Sequence, residues 1–144
     1  MKKVLFILLI ILTAQFSYSQ VSLNANDVVI ATTARMADSG MYFVVTGPDN
    51  LTLVNGYAGG RYTVYGWLGP FEDPRLENLV DLGGENYNYE WSIEGMGTTC
   101  YVSGFGRFAD VSVYSNSHGS VRVICEITSS SGGYLDTAIG YVNF

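Results

Sequence analysis

The stretch Tyr87-Asn88-Tyr89-Glu90-Trp91-Ser92-Ile93 decides the fold. Tyr87, Tyr89, Trp91 and Ile93 fall on one side of an extended chain. Asn88, Glu90, Ser92 and Glu94 fall on the other. A period of two with one apolar and one polar face marks a strand half buried in an antiparallel sheet. A Trp beside two Tyr makes the buried face a large hydrophobic anchor.

The same alternation recurs on both sides of this stretch. Residues 61–67 (RYTVYGW) place Tyr62 and Val64 on one face and Thr63, Tyr65 and Trp67 on the other. Residues 107–114 set Ala109, Val111 and Val113 together, and residues 121–127 set Val121, Val123, Cys125 and Ile127 together. Residues 27–33 and 51–54 read as short strands. Residues 41–46 (MYFVVT) are apolar on both faces, which predicts a central or doubly covered strand. Further strands are expected over 98–103 and 134–144, with Gly104-Phe105-Gly106 as a kink or bulge. Residues 55–60 contain a turn with three glycines. Strands spaced this way, with Gly, Asn and Ser between them, predict an all-β antiparallel sandwich of two sheets. Tyr89, Trp91, Val111 and Val123 are its expected core.

One segment carries helical signals. Asp73 suits an N-cap and Pro74 the first helical position. Leu76, Leu79 and Val80 are spaced three and four apart, and Gly83 suits a C-terminal stop. The expectation is one short helix inside the long loop 68–86.

The first nineteen residues have a lysine pair, Lys2 and Lys3, then an unbroken apolar run over 4–12 and mostly small and polar residues. That is the pattern of a cleavable signal peptide over 1–19, too short in its apolar run to span a bilayer comfortably. It leaves a single domain over 20–144, with an N-terminal extension over about 20–40. The expected location is secreted, periplasmic or cell-surface, with no membrane insertion once the signal is cleaved. The signal holds the only two lysines. Its removal leaves five arginines against thirteen acids, so the formal charge moves from −6 to −8. An acidic, lysine-free chain is a poor partner for nucleic acid.

The two cysteines, Cys100 and Cys125, leave two readings open. In an oxidising compartment they can form a disulfide, contributing roughly 3 kcal/mol for a loop of this length. They can also remain as free thiols. His118 is the only histidine and lies in a polar turn, and no Cys/His spacing argues for a metal. The acids Glu72, Asp73, Glu77, Asp81 and Glu85 lack the spacing of a calcium loop. No cofactor is expected.

Taken in order, several pieces resemble the immunoglobulin-like and PKD-like sandwich domains of bacterial secreted and cell-surface proteins. They are Gly47-Pro48, Tyr62-Thr63-Val64, Tyr89-Glu90-Trp91, the run from Val102 to Arg107, Val111-Ser112-Val113, the run from Gly119 to Val123, and a Gly-rich final hairpin. The resemblance covers about residues 42–144. It implies that Trp91 is the core tryptophan of the third strand, facing Val123 and Cys125 across about 10 Å of core. It also implies that Cys125 takes the place of the core cysteine on the penultimate strand. The upstream partner cysteine is absent, because Cys100 follows Trp91, and the segment 68–86 is longer than the pattern. Such domains serve as spacers, adhesion modules and binding platforms.

The functional expectation is therefore a non-catalytic module for binding, adhesion or structural assembly at the cell envelope, with a protein or glycan partner. A second reading is a carbohydrate-binding module using Tyr65, Trp67 and Phe71, if these aromatics are exposed rather than buried under 68–86. A third is a small glycoside hydrolase using Glu90 and Glu94, if these line a cleft.

Overall fold

The computed structural model describes residues 23–33, 41–68, 79–82, 87–95 and 97–144. Among the described residues nine strands run in chain order: β1 (Asp27–Thr32), β2 (Tyr42–Pro48), β3 (Tyr57–Trp67), β4 (Leu79–Val80), β5 (Tyr87–Gly95), β6 (Thr99–Phe105), β7 (Phe108–Tyr114), β8 (Ser120–Ser129) and β9 (Tyr134–Asn143). They form two antiparallel sheets. One has the order β1-β2-β3-β7-β6, with β4 also on β3, and the other the order β5-β8-β9.

Alternation sorts the side chains. Phe43, Val45, Ala58, Tyr62, Val64, Val111 and Val113 point inward from the larger sheet, with Ala109 buried on the same side of β7. Val121, Val123, Cys125, Ile127, Ala138 and Val142 meet them from the smaller one. Val111 and Val123 are buried in this core as expected. Tyr89 and Trp91 are partly buried and pack against its side. Tyr62 is fully buried and its hydroxyl donates to the Pro48 carbonyl at 2.9 Å. Its ring lies over Gly47, where a Cβ would come within 2.3 Å.

The edges of the two sheets meet at two seams, β5 beside β6 and β1 beside β9. Each seam has a glycine at its closest approach. A Cβ on Gly104 of β6 would fall 2.7 Å from the Trp91 indole, and one on Gly140 of β9 would fall 2.9 Å from the Ile30 carbonyl oxygen. Trp91 also donates its indole N–H to the Gly106 carbonyl at 3.0 Å. This corrects the expectation for Trp91. It does not face Cys125 across the core but is its direct partner on the neighbouring strand, because β5 and β8 pair in one sheet. It clamps a seam, from an outer strand, and so remains partly exposed.

β2 matches its reading: it lies between β1 and β3 and is buried on both faces. Its outer face belongs to a second cluster of Val44, Tyr65, Trp67 and Leu79, with Leu23, Val29 and Tyr42 against it. β3 is longer than expected. Only Asn55 and Gly56 turn, at φ of 53° and 78°, and Val54 and Tyr57 exchange hydrogen bonds across them at 2.8 and 3.1 Å. Two consecutive positive φ values fit a hairpin turn that follows strand twist. Residues 51–54 form no strand, only a bridge at Val54. Gly104-Phe105-Gly106 is not a bulge: β6 continues through Phe105 and turns at Gly106, φ 61°, into β7.

The expected helix meets a correction at its C-terminal half. Leu79 and Val80 are a strand, paired to Trp67 and Gly66. β7 runs out at Thr63, so the last residues of β3 have an open edge whose backbone groups need partners, and β4 supplies them. Asp73, Pro74, Leu76 and Gly83 lie outside the described residues, as do the proposed signal peptide and the cleavage point. There is no helix among the described residues. The stretch assigned to an N-terminal extension contains β1, a full member of the larger sheet.

Trp67, at 1% exposure, is the fully buried tryptophan. Trp67→Ala is expected to cost about 3–5 kcal/mol in urea denaturation. Trp91→Ala is expected to cost clearly less. The reverse order would contradict this assignment of the two indoles.

Candidate binding face

Two of the aromatics expected to form a surface patch, Tyr65 and Trp67, are not on the surface. Tyr65 is 7% exposed and Trp67 1%, both within the second cluster. The physical reason is that the outer face of the larger sheet is itself covered at this end, by Leu79 and Leu23 among others. Phe71 lies outside the described residues.

Glu90 and Glu94 sit on the outer face of the smaller sheet. Four residues along a strand separate them by about 13 Å, whereas glycosidase carboxylates stand roughly 5 to 10 Å apart. Glu94 is engaged by Arg122 at 3.0 Å, and Glu90 stands opposite Glu126. That geometry does not assemble the hydrolase pair. Cys100 and Cys125 are both free, so the bridge is not formed. The register explains it: Cys100 sits by Gly95 and Val121, while Cys125 lies four residues further along β8, opposite Trp91. His118 is held through Nδ1 by the Phe144 carbonyl oxygen at 3.0 Å. Since that oxygen only accepts, Nδ1 donates. No cluster of three metal-ligating side chains occurs among the described residues. No described helix is long and apolar enough to cross a membrane.

Tyr134 and Tyr141 of β9 are exposed on the smaller sheet, and the other exposed aromatics share one face of the larger sheet. β3, β7 and β6 lie side by side, and their outward positions form four rows. The first holds Tyr57, Tyr114 and Thr99. The second holds Gly59, Ser112 and Tyr101. The third holds Arg61, Asp110 and Ser103, and the fourth Thr63, Phe108 and Phe105. Tyr57, Tyr114, Tyr101 and Phe105 are 45, 49, 60 and 48% exposed. The Tyr57 and Tyr114 rings lie 5.2 Å apart at 55°, and Tyr101 meets Tyr114 edge-on at 6.1 Å. At the other end Phe105 stacks with Phe108 at 5.8 Å.

Between these aromatic ends, Arg61 grips Asp110 by two hydrogen bonds of 2.8 and 3.0 Å. That hydrogen bonding holds the Asp110 carboxyl below its usual value. The Arg61 guanidinium also lies 5.4 Å over Phe105. Arg107 pairs with Asp81 and lies over Phe108. The sequence carries a signal for this face. In 99–105 and 108–114, aromatics occupy the parity opposite the core: Tyr101 and Phe105, Phe108 and Tyr114.

No protein-family model, curated protein or solved structure matches the chain.

Beneath this face two buried acids are held neutral. Burial pushes the Cys125 thiol up to about 12 and raises the Tyr62 hydroxyl as well. In the unfolded chain these groups ionise near about 8.5 and 10. Their contribution to stability is therefore complete below about pH 8 and is lost as pH climbs toward 12. The midpoint of thermal unfolding should fall through that range, and fall less steeply for Tyr62→Phe. Identical slopes for the two proteins would contradict the burial of Tyr62. Cys125 should also resist alkylation in the native state and react once the chain is unfolded.

Proposed function

We propose that this chain is an exported, non-catalytic immunoglobulin-like module that binds a partner at or outside the cell envelope through the outer face of β3, β7 and β6. The order β2-β3-β7-β6 beside β5-β8-β9 supports the immunoglobulin-like reading. A constant-type immunoglobulin sandwich has a four-stranded and a three-stranded sheet, and this reading takes β1 and β4 as additions to the larger one. In that correspondence Trp91 lies on the strand equivalent to the third and Cys125 on the penultimate, side by side in register. The signal-peptide pattern in the sequence of residues 1–19 supports export.

The observation that carries the binding assignment is the tyrosine group of Tyr57, Tyr101 and Tyr114. Three large rings left about half exposed on one sheet face, two of them each in contact with Tyr114 between them, are unusual for a surface with only water to meet. Exposed tyrosines clustered this way act as anchors for a partner, giving large contact area for little loss of side-chain freedom.

The test uses labelled mature protein, intact bacterial cells, and separated envelope polysaccharide and protein fractions. The parent should bind one of these. Tyr101→Ser with Tyr114→Ser should weaken that binding by about tenfold or more, the loss expected for two interface anchors. The thermal midpoint should hardly move, since neither ring belongs to the core. Full binding by the double variant would overturn the assignment of the face.

A further inference from the structure

We infer that the ligand of this face is a neutral glycan, stacked on the ring of Tyr57 and hydrogen-bonded by the Arg61–Asp110 pair. The inference rests on reading this face as the binding surface and adds the chemistry of what it takes.

The Tyr57 ring is laid down on the sheet by Gly59. A Cβ at Gly59 would come within 2.6 Å of the Tyr57 hydroxyl oxygen and 3.2 Å of Cζ. The far end of the ring therefore occupies the space a side chain would fill. The hydroxyl end of the ring lies over Gly59, and almost half of the residue remains exposed. A ring in this position offers a platform to the C–H face of a sugar. Tyr114, tilted at 55°, and Tyr101, set edge-on to Tyr114, stand beside it.

Polar groups lie in the rows that follow. Ser112 and Ser103 supply hydroxyls, and Arg61 with Asp110 supplies N–H donors and carboxylate acceptors in two planar groups held together. Such a pair can donate to one sugar hydroxyl and accept from its neighbour without being dismantled. Arg61 is steadied from a second side by Phe105.

The charge and composition of the face select the ligand. Arg61 and Asp110 cancel, and Arg107 is matched by Asp81, so the surface offers no net cation to an anionic polymer. None of its twelve outward positions carries Leu, Ile, Val or Met. An apolar protein patch laid on Ser112, Ser103 and Thr99 would strip their hydroxyls of water without replacing the hydrogen bonds. A sugar hydroxyl replaces them. The outer face of the smaller sheet contrasts with this, since Ile139 is exposed there beside Ile124.

The experiment measures binding of the mature protein to neutral glucans, mannans, xylans and galactans, and to acidic polysaccharides, by affinity electrophoresis and calorimetry. At least one neutral polymer should bind, with little change between low and high salt. Tyr57→Ala should lower that affinity by about tenfold or more. Gly59→Val keeps every tyrosine but lifts the Tyr57 ring, and should lose a comparable amount, with folding checked by circular dichroism. Four results would overturn the inference. Binding only to acidic polymers, abolished by salt, would assign the wrong charge class. Glycan binding unchanged in both variants would place the sugar elsewhere. No glycan binding, together with a protein contact that Tyr101→Ser and Tyr114→Ser abolish, would reject the glycan while keeping the face. No binding of either kind would reject both.

Discussion

Two sheets of unequal width can share one core only if their edges come close enough to shut water out. Here that closeness depends on the absence of a side chain at two positions. At Gly104 the Trp91 indole settles onto the backbone of β6, and at Gly140 the backbone of β1 at Ile30 crosses β9. The indole N–H bonded to the Gly106 carbonyl fixes the first seam by direction as well as by contact. Trp91 therefore matters less as buried volume than as a clamp. Tyr62 plays the complementary part within the larger sheet, where its ring covers Gly47 and its hydroxyl satisfies the Pro48 carbonyl.

β3 joins the core to the candidate site because its two halves have different neighbours. Its last residues, Tyr65 to Trp67, lie beside β2 and β4, and a second cluster covers their outer face. Its first residues, Tyr57 to Thr63, lie beside β7, and their outer face is open. One strand thus carries aromatics of the same outward parity into two environments. Trp67 and Tyr65 are structural, and Tyr57 is available to a ligand. Gly59 adds a local effect, since a larger residue there would raise the ring that the glycan reading needs flat.

Much of the fold was legible because most strands have one wet face. Residues 87–93, 108–114 and 121–127 alternate cleanly, and each is a strand in the expected register of faces. The double burial of β2 was legible for the opposite reason, a run with no polar face. Leu79 and Val80 were not, because a short apolar pair with Leu at helical spacing satisfies either period. What decided them was the open edge at the end of β3, a feature of the assembled sheet. The site was half legible. Alternation assigns each aromatic to an inner or an outer face, but which part of an outer face is covered depends on segments distant in sequence. That is why Trp67 and Tyr65 could be read as a patch while Tyr57, Tyr101 and Tyr114 form one.

Residue-level footprinting of the native protein measures this division of the outer face directly. Brief hydroxyl-radical oxidation, located by peptide mass, should modify Tyr57, Tyr101 and Tyr114 nearly as fast as in the unfolded chain. Tyr62, Tyr65 and Trp67 should be strongly protected. Tyr65 and Trp67 reacting as fast as Tyr101 would contradict the second cluster and return the binding face to the other end of the sheet.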